Sequence, residues 1–116
     1  MKLSNRRILE RAELLLKTVG RIRDGFDLEK QDVLGSNTME ALEKLRERSR
    51  SFYRLRLAEV RRELLQLKTR ISSDQPEREA AEDLLRQSLK AVSDLDAHLV
   101  SAPSRLIRAR GEFDDG

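Results

Sequence analysis

The side chains that could carry acid–base or metal chemistry are sparse in this 116-residue sequence. His98 is its single histidine and no cysteine is present, so the residue sets that usually bind zinc cannot be assembled. Asp94 and Asp96 are two positions apart and therefore lie on different faces of a helix. The five glycines are scattered and form no phosphate-binding loop. We therefore predict that the protein is not an enzyme and has no catalytic residue, metal site or cofactor.

Basic side chains offer more scope for binding, and they are densest on one long predicted helix. Five of them lie within an arc of about 80°, at about 100° per residue: Arg46, Arg50, Arg54, Arg61 and Lys68. If the chain turns back near Asp74, Lys68 falls near Glu82. The same register brings Arg54 near Asp96. Much of the stripe is therefore interpreted as charge pairing between two antiparallel helices.

Other arginines on this helix lie outside that arc and are not explained by helix pairing. They are the candidate anion or nucleic-acid contacts: Arg48, Arg56, Arg62 and Arg70. Arginine suits bidentate contact with phosphate, so a nucleic-acid-binding helical protein is the alternative function. Aromatic residues are only 3% of the chain and do not alternate with the basic ones, and the following helix is acidic. Nucleic acid is for these reasons the less favoured partner.

Composition and apolar spacing indicate the class of protein. Charged residues make up 39% of the sequence, and the abundance of Leu, Ala, Glu, Arg and Lys is typical of long helices. The length suits one helical domain, residues 1–116. No run approaches the roughly 18 apolar residues of a membrane span. The block Leu14–Leu16 is too short for a signal peptide. We expect a cytoplasmic protein with no membrane insertion.

Three apolar stripes with steps of three and four residues predict three helices, at about 5–26, 38–72 and 75–101. Ser4 is the expected N-cap of the first helix, and Asn37 with Glu40 the capping box of the second. The segment 25–36 is predicted to be a connection. The third helix is expected to stop before Pro103 and to be followed by a short helix over about 104–110.

These elements predict an all-α fold, either an antiparallel three-helix bundle or a long helical hairpin with coiled-coil-like packing, with a short C-terminal fourth helix. The central stripe contains one irregularity, because Leu45, Ser49 and Tyr53 follow one another at steps of four and four. Such a stutter marks a departure from simple coiled-coil packing. The second helix is predicted to be longer than the first, and its overhang would leave apolar residues exposed in a monomer. A monomer and a homodimer are both left open.

We expect a non-catalytic protein–protein interaction module, adaptor-like or chaperone-like, that binds another protein or its own copy. In length, helix count and charge the chain resembles small all-helical adaptors, among them the export chaperones of bacterial flagellar and type III systems; no motif accompanies this resemblance. Phe52 and Tyr53 are adjacent and cannot both face one stripe. The candidate partner contacts are the apolar residues that the predicted core uses least well: Leu14, Phe52, Tyr53, Leu55, Leu106 and Ile107.

Overall fold

The protein is an elongated bundle of three long antiparallel helices, which confirms the all-α prediction. The computed structural model describes the backbone of residues 3–115 and the side chains of residues 3–112. The elements are α1 (Asn5–Ser36), α2 (Met39–Arg48), a π-helical turn (Ser49–Tyr53), α3 (Arg54–Thr69) and α4 (Arg78–Asp115). Because α2, the π-helical turn and α3 follow without a break, we call them together the central helix. The rod measures 63 × 18 × 17 Å.

The core runs along the whole axis of the rod and is built from the predicted stripes. The first helix contributes Ile8, Ala12, Leu15, Val19, Ile22 and Phe26, and the others are spaced in the same way. A core of leucine and valine with few aromatics suits helices that pack side by side at close range. No strand occurs in residues 3–115.

The predicted connection over 25–36 is wrong, because α1 continues through it to Ser36. Only Asn37 and Thr38 separate α1 from α2. Asn37 adopts the left-handed conformation with φ 48° and donates its N–H to the carbonyl of Val33. Thr38, not Asn37, is the N-cap of α2, and its hydroxyl accepts from the N–H of Ala41. The extra turns of α1 lie beside α2, so the predicted overhang of the central helix does not exist.

The stutter in the central helix is the site of the π-helical turn. The N–H of Arg54 bonds to the carbonyl of Ser49, five residues earlier, which is the π pattern. This extra residue in one turn absorbs the consecutive steps of four and keeps Leu45 and Tyr53 both in the core. Ser49 itself is buried, and its hydroxyl donates to the carbonyl of Leu99 at 2.5 Å.

The predicted stop before Pro103 is also wrong, because α4 runs through it to Asp115. The predicted short helix over 104–110 is therefore the last part of α4. A proline inside a helix removes the N–H that would bond four residues back, here to Leu99. Ser49 supplies a donor to that carbonyl from the neighbouring helix, so the missing hydrogen bond is replaced. Ala102 and Pro103 are buried, which favours continuation of the helix against the core.

The turn between α3 and α4 is held by a buried side chain from the start of α1. The side chain of Asn5 donates to the carbonyl of Ser72 at 2.7 Å and accepts from its N–H at 2.9 Å. The backbone N–H of Asn5 donates to Gln75 Oε1. Glu77 does not belong to the last helix, because it has φ 67° and α4 begins only at Arg78. The carboxylate of Glu77 instead accepts from Arg6.

Candidate interaction surface

An open surface depression in two parts lies between α3 and α4, and we call it the α3–α4 groove. Its upper part, of about 620 Å³, has an apolar lining of Leu55, Leu57, Ala58, Val92 and Ala97. Its lower part, of about 370 Å³, is lined by Ile71, Leu85 and Leu89. Along α3 these two parts reach from Leu55 to Lys68, which is about 20 Å at 1.5 Å per residue. Small side chains keep the upper part shallow and open.

Basic side chains form the rim of the groove, and some of them are paired. Arg54 donates two hydrogen bonds to Asp96 in a bidentate contact, with Nε–Oδ1 2.9 Å and Nη2–Oδ2 3.3 Å. This hydrogen bonding raises the pKa of Arg54. Arg50 pairs with Glu47 on its own helix. The predicted approach of Arg54 to Asp96 is thus present in the structure.

Two further rim cations remain without an acidic partner. Arg61 and Lys68 both line the groove, and neither takes part in an ion pair among residues 3–112. Lys68 and Glu82 line the same lower part, as the register predicts, but Glu82 pairs with Arg78 at 3.9 Å. Interhelical pairing therefore accounts for only part of the basic stripe. Arg61 and Lys68 lie on the same side of α3, towards α4.

Phe52 belongs to a different surface, on the side of the central helix that faces α1. It is 39% exposed and lies between two arginines. The guanidinium carbon of Arg48 is 4.8 Å from the ring centroid, and that of Arg56 is 5.5 Å away. Arg48 is also bound to Glu29 of α1, with Nε–Oε1 2.5 Å, and this contact raises the pKa of Arg48. Two of the predicted anion contacts, Arg48 and Arg56, therefore pack on the ring of Phe52, and Arg48 also pairs with the carboxylate of Glu29.

Tyr53 is a core residue, so its assignment as a partner contact is corrected. Its side chain is 5% exposed, and its ring packs edge-on against Phe26 at 5.7 Å between centroids. The π-helical turn decides this, because it directs Tyr53 inward and leaves its neighbour Phe52 at the surface. Burial raises the pKa of Tyr53, the carboxylate of Glu29 raises it further, and Arg48 opposes both effects.

The remaining predicted contacts are distributed over separate regions. Leu14 and Arg70 line a depression between α1 and α3 that also contains the Arg11–Glu63 ion pair. Leu106 is half-buried at the other end of the rod, beside Leu34 and Leu42. Ile107 is half-buried and Arg62 is exposed. Of the predicted partner contacts, only Leu55 lies in the α3–α4 groove, so these residues do not form one site.

The side chain of His98 contacts two residues of α1. Its Nε2 is 3.8 Å from Asp27 Oδ1, and its ring packs edge-on against Phe26 at 5.5 Å between centroids. Residues 3–112 contain no group of three His, Asp or Glu side chains that could hold a metal ion. No helix in the described part of the chain is long and apolar enough to cross a membrane.

The sequence contains a signal for the groove that reasoning about single residues missed. Ala58, Arg61, Leu65 and Lys68 each directly follow a core residue of α3, so they repeat its steps of three and four. On α4, Leu89, Ser93 and Val100 follow core residues in the same way. A second stripe adjacent to the core stripe is the pattern of a helix with two packing neighbours. Leu65 and Val100 are nevertheless 41% and 48% exposed.

Comparison of the chain with protein-family models, with characterised proteins and with solved structures finds no match.

Proposed function

We propose that the protein is a non-catalytic helical module that binds another protein through the α3–α4 groove. The observation that carries this proposal is the combination, in one groove, of an apolar floor and unpaired rim charge. Leu57, Leu85 and Val92 form part of the floor, and Arg61 and Lys68 provide the charge. Apolar centres with charged edges are the usual composition of protein interfaces.

The length of the groove supports a helical or extended partner over a small ligand. A drug-sized ligand needs a concave site that covers most of its surface. Here the two parts of the groove are open and follow one another along two helices. A helix laid along them would make contacts at intervals of three and four residues. Adaptor-like or chaperone-like action, and a cytoplasmic location, are parts of this proposal.

Photocrosslinking tests the proposal directly. A benzophenone amino acid at Ala58 would lie in the groove, whereas the same group at Gln66 would lie on α3 in the depression beside Leu14. Both positions are exposed, so neither substitution disturbs the core. We expect protein crosslinks from position 58 and few from position 66 in extracts of the native host. Equal crosslinking at both positions, or none, would refute the groove as the interface.

Truncations at the surface provide a second test. Leu55 is 60% exposed within the groove, and Phe52 is exposed outside it. We expect Leu55→Ala to weaken partner capture about tenfold, as loss of one interface anchor commonly does. Phe52→Ala should change capture less than twofold if the groove is the interface. Light scattering on both variants shows in addition whether either side chain supports self-association.

Nucleic-acid binding stays an alternative prediction. The four arginines predicted for it do not converge, because Arg48 is bound to Glu29 and Arg70 lies beside Leu14. Titration of labelled DNA and RNA at two salt concentrations tests it, since phosphate contacts give a steep salt dependence. Salt-sensitive binding that is lost in Arg56→Glu/Arg62→Glu would favour this alternative.

A further inference from the structure

We propose that the occupant of the α3–α4 groove is an acidic amphipathic helix of about 20 residues from another protein, and this rests on the proposed function. The groove lies between two nearly antiparallel helices, and a third helix placed over such a pair packs its apolar stripe along their shared edge. Ala58, Ser93 and Ala97 are small, so the backbone of an added helix can approach closely. About 20 residues of helix span about 30 Å.

The charge of the occupant follows from the rim. Rim cations Arg50, Arg54 and Arg86 are neutralised by Glu47, Asp96 and Asp83 respectively. The surplus positive charge of the groove is therefore at Arg61 and Lys68, which have no ion-pair partner among residues 3–112.

These two cations also define a spacing. Arg61 and Lys68 are seven residues apart on α3, which places them on one face about 10 Å from each other. An occupant helix with Asp or Glu at positions i and i+7 beside its apolar stripe matches both charges at once. Apolar residues at steps of three and four on that helix would cover Leu65 and Val100, two of the exposed large apolar side chains.

A second copy of this chain is a poorer occupant. Exposed parts of the rod carry both signs of charge side by side, for example at Arg11 with Glu63 and at Arg6 with Glu10. An approaching copy would bring arginines together with carboxylates to the basic rim. An acidic helix without arginines avoids this repulsion between like charges, and such differences in repulsion are how charge patterns select partners.

A synthetic peptide tests the inference on the full-length protein. The probe is a fluorescent 21-residue amphipathic helix with a Leu/Ala stripe and Glu at i and i+7. The comparison peptide has Lys in place of both Glu residues, and a scrambled peptide has the acidic composition without the stripe. We expect the acidic amphipathic peptide to bind by fluorescence anisotropy at least about fivefold tighter than either control. Equal binding of the acidic and Lys peptides would overturn the inference.

Charge reversal on the protein locates the contact. Arg61→Glu/Lys68→Glu should weaken binding of the acidic peptide by about fivefold or more and should favour the Lys peptide. Arg56→Glu/Arg70→Glu changes the net charge equally on the same helix but on the side towards α1. It should change binding less than twofold. Equal weakening by both double variants would show attraction by net charge alone and would overturn the inference. Circular dichroism verifies that both variants fold.

The two proposals fail in different ways. If position 58 crosslinks a protein but the acidic peptide does not bind, the chemistry of the occupant is wrong and the interaction module stands. If the protein trapped from position 58 is a second copy of this chain, the acidic helix is likewise refuted. If neither crosslinks nor peptide binding occur, both proposals fail. Crosslinks from position 58 to a partner that the acidic peptide displaces would support both.

Discussion

The hydroxyl of Ser49 donates a hydrogen bond of 2.5 Å to the carbonyl of Leu99 across the interface between the central helix and α4. Pro103 lies four residues after Leu99 and has no N–H to offer that carbonyl. The π-helical turn begins at Ser49, so the irregularity of one helix lies beside that of the other. The π-helical turn of one helix thus supplies the hydrogen-bond donor that the proline removes from the other.

This relationship predicts that Ser49 and Pro103 are energetically coupled. Ser49→Ala leaves the Leu99 carbonyl buried without a donor and should lower the free energy of unfolding by about 1–3 kcal/mol. In a Pro103→Ala background the alanine N–H can bond to Leu99, so the same change should cost about 1 kcal/mol less. Urea unfolding followed by circular dichroism measures all four proteins of this double-mutant cycle. An identical cost of Ser49→Ala in both backgrounds would contradict the coupling.

Ser88 provides the matched comparison for Ser49. It is fully buried in the core stripe of α4, but its hydroxyl has no hydrogen-bond partner among the described residues. Ser88→Ala removes a polar atom whose loss of hydration nothing offsets, and it also improves helix propensity. We expect the free energy of unfolding to rise by about 1 kcal/mol. The same Ser→Ala change should therefore have opposite signs at positions 49 and 88, and a loss of stability at both would be incompatible with this explanation.

Asn5 is expected to control the order of the turn between α3 and α4. Asn5→Ala removes the contacts to both backbone groups of Ser72 and should cost about 2–3 kcal/mol of unfolding free energy. Amide hydrogen exchange at Ser72 should accelerate more than exchange in the middle of α3. Arg6→Ala is the control, because its ion pairs are exposed and their loss should cost less than about 1 kcal/mol. Unchanged exchange at Ser72 in the Asn5 variant would show that other contacts hold the turn.

Tyr53 should make stability fall at alkaline pH. Its pKa is raised in the folded protein, chiefly by burial, above the value of about 10 for an exposed tyrosine. The unfolded chain therefore loses this proton first as the pH rises. The contribution of Tyr53 to the free energy of unfolding is therefore complete below about pH 10. It is lost as the pH rises from that value through the higher pKa of the folded state. Since Tyr53 is the single tyrosine, its ultraviolet absorbance should give a midpoint above about 10 in buffer and near 10 in urea.

Variants separate the causes of this shift. Glu29→Gln should lower the pKa of Tyr53, because the carboxylate disfavours the tyrosinate. Arg48→Gln should raise it, because the guanidinium favours the tyrosinate. In Tyr53→Phe, which cannot ionise, stability should decline less steeply over the same alkaline range. A titration midpoint that is the same in buffer and in urea would mean that Tyr53 is exposed in solution.

The sequence by itself determined the fold class and most of the core. Steps of three and four from Ile8 to Phe26 are sufficient to specify a buried helix face, because the helical period fixes which residues share a side. Antiparallel register follows once the turn near Asp74 is recognised, and it correctly brought Arg54 to Asp96. The irregular step at Ser49 also marked the position of the π-helical turn.

Only the tertiary structure decided where the helices end and which surfaces exist. Local signals at Gly25 and Pro103 indicated breaks, but packing at that end of the rod outweighs the modest cost of glycine, and Ser49 replaces the hydrogen bond lost at Pro103. The inward direction of Tyr53 depends on one extra residue in a single turn, which periodicity cannot resolve. The α3–α4 groove arises from two stripes distant in sequence. Which of its cations stay unpaired depends on side-chain distances that only the folded chain sets.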